Sequence, residues 1–160
     1  RAYERAYQLM AQVSGRAGRK GRRGLVVIQT SDPQHFIVEK VVQNDYQGMY
    51  DTELALRKQF RYPPFIRMIT ITIKHRDREV VDKAADALAL RLEPIKDKLL
   101  LGPEYPLVQR IRNKYNKQII LKMGGPNIKE RKRQIFDTIR EVHEQKEFRS
   151  VFFQPDVDPI

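Results

Sequence analysis

Two consecutive prolines, in Tyr62-Pro63-Pro64-Phe65, constrain this chain more than any other feature. Each proline fixes its own φ, removes a backbone donor and pushes the residue before it out of the α region. Neither a helix nor a central strand can run through such a segment. A stiff, extended connection is expected at 62–65, dividing a region 1–61 from a region 66–160. A polyproline ligand is the other reading, but a rigid linker packed by its two aromatics suits the segment better.

Beyond the prolines the periodicity changes twice. Ile69, Ile71 and Ile73 alternate with Thr70, Thr72 and Lys74, the pattern of a strand with one face buried. Asp77 can cap a helix whose apolar face is Val80, Val81, Ala84, Ala85, Leu88, Leu92 and Ile95. Leu99 to Leu101 and Leu107 to Arg112 read as extended, and Lys117 to Met123 as a further strand after a turn at Asn113 to Asn116. Gly124-Gly125-Pro126 break the chain. Asn127 then caps a second helix, with Glu130 at its third position and Ile128, Ile135, Ile139 and Val142 inward. Val151 to Phe153 closes the sheet. The order β-α-β-β-α-β predicts a split βαβ, ferredoxin-like α+β domain: four antiparallel strands with two helices on one face.

Before the prolines, Ala2, Ala6, Leu9, Met10 and Val13 stand at helical spacing, and Gly15 and Gly18 open a loop rich in glycine and arginine. Leu25 to Thr30 reads as a short buried strand, with a helix starting near Pro33. A longer helix from about Asp45 to Phe60 carries Tyr46, Tyr50 and Leu54 at four-residue steps, with Glu53 and Arg57 placed for an ion pair.

The net charge of +11, on 160 residues with a pI near 10, favours polyanionic partners, because cations that neutralise phosphates release condensed counterions. The basic residues concentrate at Arg16 to Arg23, Arg110 to Lys122 and Lys129 to Arg133, so a merely solubilising surface explains them less well. An apolar share of 41% allows one ordinary core, or one plus a satellite. No stretch approaches the roughly 18 apolar residues of a membrane span, and no signal peptide stands at the start. A cytoplasmic, nucleoid-associated protein is expected. Cysteine is absent and His35, His75 and His143 are isolated, so no thiolate zinc site is expected in these residues. Asp156 and Asp158 suit a terminal structural turn better than a metal or acid/base pair. The chain opens on Arg1 inside a helical pattern with no initiator methionine, as a piece of a longer protein would.

The sharpest motif is Gln12-Val13-Ser14-Gly15-Arg16-Ala17-Gly18-Arg19, between a helix and a short apolar run. Gly15 and Gly18 let the backbone turn closely. Arg16 and Arg19 could aim two permanent, multidentate cations at a γ-phosphate whose charge shifts during transfer, with Gln12 relaying its state. A basic loop touching DNA or solvent is the plainer alternative.

At these residues the chain resembles motif six of superfamily two helicases: glutamine, two variable positions, glycine, arginine, two variable positions, arginine. Tyr50, Glu53, Leu54, Arg57, Tyr62-Pro63-Pro64-Phe65, Leu101-Gly102-Pro103, Arg110 and Asp156-Val157-Asp158-Pro159 are similar to the ordered landmarks of the primosomal protein N′ family. The resemblance implies the end of a RecA-like helicase lobe over 1–61, with Arg16 and Arg19 as catalytic arginine fingers and Gln12, Gly15, Arg16 and Arg19 as nucleotide-binding residues. It implies ATP- and Mg²⁺-dependent 3′ to 5′ unwinding of DNA at stalled forks, loading of other primosome proteins and contact with single-stranded DNA-binding protein. The zinc of the family would be bound outside these residues. No phosphate-cradling Gly-x-x-x-x-Gly-Lys-Ser/Thr loop and no acidic Mg²⁺ motif occur here, so the piece alone is expected to have no ATPase activity.

Two binding surfaces are expected in the terminal region. Arg110, Arg112, Lys114, Tyr115 and Lys117, with Lys122, fall on the hairpin, where alternation could gather cations beside an aromatic for forked or single-stranded DNA. The alternative is a solvated hairpin with Tyr115 capping the core. Lys129, Arg131, Lys132 and Arg133 could hold an acidic protein tail at a helix N-terminus, or be a solvated helix face.

Overall fold

The computed structural model describes residues 2–17 and 24–159, in two compact units, Arg1–Phe60 and Arg61–Ile160. In the first unit, α1 (Ala2–Ala17) runs through Gly15 and Arg16, where a loop was expected. A glycine in a helix costs only about 1 kcal/mol relative to alanine, which its helix-forming neighbours can offset. Ser14 Oγ donates to the Met10 carbonyl at 2.9 Å rather than interrupting the ladder. Gly18 and Arg19 lie outside the described residues, as does most of the Arg16 to Arg23 cluster.

Residues 24–30 form no strand, contrary to expectation, and Leu25 and Val27 are exposed. An apolar run becomes a buried strand only when neighbouring strands complete its hydrogen bonds, and no strand occurs among the described residues of this unit. Helix α2 (Phe36–Val42) starts at His35, whose Nδ1 accepts from the Ile37 amide at 3.3 Å. Helix α3 (Tyr46–Gln59) starts at Asp45, whose carboxylate accepts from the Gly48 amide at 2.8 Å and pairs with Lys40 at 2.5 Å. Glycine leaves room for this cap, because a Cβ on Gly48 would lie 2.2 Å from Asp45 Oδ2 and the pair with Lys40 would have to shift. Tyr7, Ile37, Val41 and Met49 make the core. Met49 and Glu53 turn inward on α3 and leave Tyr46 and Tyr50 about half exposed. Arg57 Nε donates to Glu53 Oε1 at 3.0 Å, the predicted pair.

The second unit begins with a turn instead of an extended connection. Proline suits the second position of a β-turn, and the Phe65 amide donates to the Tyr62 carbonyl across Pro63-Pro64 at 3.2 Å. The sheet comprises β1 (Arg67–His75), β2 (Lys98–Glu104), the two-residue β3 (Arg110–Ile111), β4 (Lys114–Met123) and β5 (Phe152–Val157). Its order is β2-β4-β1-β5, with β3 paired to β4, and every pairing is antiparallel. This is the split βαβ order with five strands rather than four. Leu107 and Val108, expected to be extended within the sheet, are exposed and outside it.

Helix α4 (Arg78–Leu92) is capped by Asp77, whose carboxylate accepts from the Glu79 amide at 2.9 Å. It packs with α5 (Ile128–Glu144) on one face of the sheet. Ile69, Ile71 and Ile73 oppose Leu121, Ile119 and Lys117 across the β1–β4 ladder, and all three isoleucines are fully buried. Full burial of each contributes about 1.5–3 kcal/mol. Gly102 has φ +91 where the β2–β4 register shifts, and a Cβ there would lie 2.6 Å from the Gln118 carbonyl. Asn127 also departs from expectation. It sits in the left-handed region at φ 63 and its side chain caps nothing.

At the C-terminus, Asp158 ties the last strand to the first. Its carboxylate accepts from the Met68 amide at 2.9 Å and from Arg67 at 2.7 Å, a structural role, whereas Asp156, expected in the same terminal turn, lies within β5 opposite Thr70. Among the described residues no helix is long and apolar enough to cross a membrane, and no group of three or more His, Asp or Glu could hold a metal ion.

Candidate nucleic-acid interface

Side chains alternate along a strand, so burying Ile69, Ile71 and Ile73 against the helices directs Thr70, Thr72 and Lys74 to the opposite face. The β1–β4 register adds Asn116, Gln118, Ile120 and Lys122 to that open face, and the β1–β5 register adds Phe152, Gln154 and Asp156. The hairpin tip stands at one end. Ile111 pairs with Lys114, which leaves Arg112 and Asn113 as a two-residue turn with φ of 48° and 63°. Both angles being positive is what a tight type I′ connection requires.

Alternation divides the predicted DNA-binding residues between the two faces. Arg112 and Lys114 lie on the open side, in a cleft of about 300 Å³ with Lys74, Ile111, Asn116 and Phe152. Tyr115 and Lys117 point to the helix side. Tyr115 is half-buried against the core, as the alternative reading held, and the Arg110 guanidinium stands over its ring at 5.2 Å while bonding to Asn113. Lys117 is drawn away from solvent by α4: its Nζ lies 2.7 Å from Asp82 and 3.7 Å from Asp86. Burial works against the Lys117 charge, but the two aspartates more than offset it and raise its pKa. Burial also disfavours the Asp82 carboxylate, yet bonds from Lys117 and Tyr105 hold its pKa below the ordinary range. Lys117 therefore braces β4 against α4 and is not an open cation.

The predicted acidic-tail site is also reduced. Arg131 is buried, and its guanidinium donates to the carbonyls of Asp97 at 2.7 Å, Gly124 at 2.8 Å and Pro126. A helix residue three or four positions from the N-terminus faces inward as readily as outward, and here its neighbours leave carbonyls for it to satisfy. Arg133 is exposed but paired with Glu130 at 2.9 Å, Lys132 is half-buried and Lys129 is exposed. In the first unit, Gln12 and Arg16 are exposed on α1, and Gln12 lines a shallow cleft with Arg5, Gln8 and Leu9. Gly15 has open space on its Cβ side. Arg19, the second predicted finger, lies outside the described residues.

Lys74 and Phe152 belong to the cleft but escaped sequence reasoning. Lys74 carried a signal, as the outward residue of an alternating strand beside the predicted hairpin. Phe152 carried less, because alternation alone does not say which of Phe152 and Phe153 faces in. The structure packs a half-buried Phe153 against the core and leaves Phe152 exposed, with Lys74 Nζ 5.9 Å from its ring centroid.

Residues 58–160 match the family model described as the primosomal protein N C-terminal domain. The Replication restart protein PriA of Treponema pallidum (strain Nichols) is 35% identical over 167 aligned positions, covering 100% of this chain and 24% of that protein. Those of Bacillus subtilis (strain 168) and Synechocystis are 34% and 35% identical over 124 residues, each covering 76% of this chain and 15% of the relative. The chain thus spans a quarter or less of the length of these curated relatives. By its family match over residues 58–160 and its similarity to these proteins, the chain belongs to the primosomal protein N C-terminal domain family.

Proposed function

We propose that the chain is the C-terminal part of an ATP-dependent 3′ to 5′ DNA helicase that restarts stalled replication forks, and that its second unit contacts forked or single-stranded DNA. The observation that carries this reading is the gathering of Lys74, Arg112 and Lys114 on the open sheet face, none of them in an ion pair among the described residues. Similarity to proteins named for replication restart, together with a net charge of +11, supports DNA as the polyanion.

The first unit is, in this reading, the end of the second helicase lobe. Arg16 and Arg19 would act as arginine fingers on ATP bound elsewhere, with Gln12 and Gly15 beside them. Mg²⁺ for the ATP and the zinc of the family belong, in this reading, to other parts of the whole protein. Single-stranded DNA-binding protein and other primosome proteins are its proposed partners. For an acidic tail, the burial of Arg131 and the pairing of Arg133 leave Lys129 and Lys132 as the cations at the start of α5, which favours DNA over a tail as the main ligand.

Binding of the chain to a labelled forked DNA across a salt series tests the reading. Affinity should fall steeply with salt, and Arg112→Ala/Lys114→Ala should lower both affinity and the salt slope, by about 0.7–0.9 for each phosphate no longer neutralised. Salt-independent binding, or a double variant that binds as the parent does, would overturn it.

A further inference from the structure

Phe152 has no packing explanation. Its neighbours Val151 and Phe153 pack into the core, while Phe152 itself stays 53% exposed on the open face. The cleft it lines also holds Ile111, itself exposed, and the cations Lys74, Arg112 and Lys114. Among the described residues, no carboxylate lines this cleft. Lys74 is the link between the two kinds of group: its Nζ donates to Gln154 Oε1 at 2.6 Å and stands 5.9 Å from the Phe152 ring centroid.

A ligand that suits these groups must present a flat apolar surface with anions close beside it. Small carboxylate and inorganic anions lack the apolar face, and a duplex keeps its base faces stacked inside, presenting only phosphates and base edges. An unpaired nucleotide in a strand offers both, since every base has a face that stacks on an aromatic ring. We propose that this cleft binds single-stranded nucleic acid, with one base stacked on Phe152 and the adjoining phosphates held by Lys74, Arg112 and Lys114. The proposal rests on the DNA-contact reading above and deepens it, by assigning the strand type and the aromatic platform. Because stacking tolerates any base, little sequence preference is expected.

The experiment measures fluorescence anisotropy of the full chain with three labelled probes: a thymidine 12-mer, a 12-mer with abasic positions throughout, and a blunt duplex of the same length. Phe152→Ala should weaken binding of the thymidine strand by about tenfold, the scale of one base stack, and so collapse its preference over the abasic strand. Phe152→Tyr should restore that preference. Arg112→Ala/Lys114→Ala should weaken all three probes together. Thermal unfolding of each variant separates a binding defect from a folding defect. If Phe152→Ala leaves the thymidine strand unaffected, or weakens all probes equally, the stacking site is wrong while the DNA-contact reading stands. If an acidic peptide, and not the thymidine strand, competes for Phe152, the site is a protein-docking cleft and the proposal fails. If the parent chain binds forked DNA but none of the three probes, the single-strand site is wrong, and if it binds neither forked DNA nor any probe, both readings fall.

Discussion

Arg131 is a cation whose work is internal. Its guanidinium satisfies carbonyls on both sides of the packed helices, at Asp97 after α4 and at Gly124 and Pro126 before α5. Hydrogen bonds from a charged group to buried carbonyls contribute more than neutral ones, and removing the donor leaves the acceptors unsatisfied. Arg131→Gln should therefore lower the stability of the second unit by about 2–4 kcal/mol in urea titration, with little change in the DNA salt slope. Asp158 supplies a second internal tie. Burial disfavours its carboxylate, but the bonds from Met68 and Arg67 outweigh that and leave its pKa below the ordinary value of 3.8. A depressed folded-state pKa means that the unfolded chain takes up the proton first as pH falls. The stability from Asp158, like that from Asp82, is thus fully present above the ordinary carboxylate pKa and lost as pH falls from there through the lowered folded-state pKa. Asp158→Asn should lower the urea midpoint at pH 7 and flatten its decline below about pH 4.

The hairpin is the element in which stability and binding conflict. A type I′ turn favours Asn-Gly, whereas this one places Arg112 at φ 48°. A non-glycine residue held in the left-handed region costs on the order of 1 kcal/mol, and such strain concentrates where a side chain is needed. Arg112→Gly should raise the thermal midpoint of the second unit slightly while weakening binding to forked DNA. A variant that gains stability and keeps full affinity would remove Arg112 from the interface. The same element explains why the spacing alone misplaced the turn. Asn113 to Asn116 reads as a loop from composition, but β4 starts at Lys114 because its pairing with β1 runs through Tyr115 and Asn116.

The two units differ in how much apolar surface they bury. Among the described residues, sixteen buried side chains form the core of the second unit and four that of the first. In the first unit Leu9, Val13, Leu25 and Val27 remain exposed. Local opening free energy tracks buried apolar packing, so amides of α1 to α3 should exchange with solvent far faster than those of β1 and β4. Equal protection across both units in a hydrogen-exchange experiment would show the first to be as stable as the second.

Alternation at Ile69 to Lys74, the helical spacing from Val81 to Leu92 and the breakers at Gly124 to Pro126 determined the split βαβ order, because each is a local signal with its own period. The Asp77 cap and the Glu53–Arg57 pair were legible for the same reason: both are interactions within one turn of helix. Which face each cation would occupy was not local. Lys117 and Arg112 look alike in the sequence, yet strand register turns one toward the aspartates of α4 and the other toward solvent. Arg131 and Lys129 lie in one basic run, and only the carbonyls of two connections, brought together by packing, select which of them is buried. The apolar run at Leu25 to Thr30 marks the opposite limit. A strand requires partners for its backbone groups, and a sequence can specify the alternation or the run without supplying the neighbours that complete it.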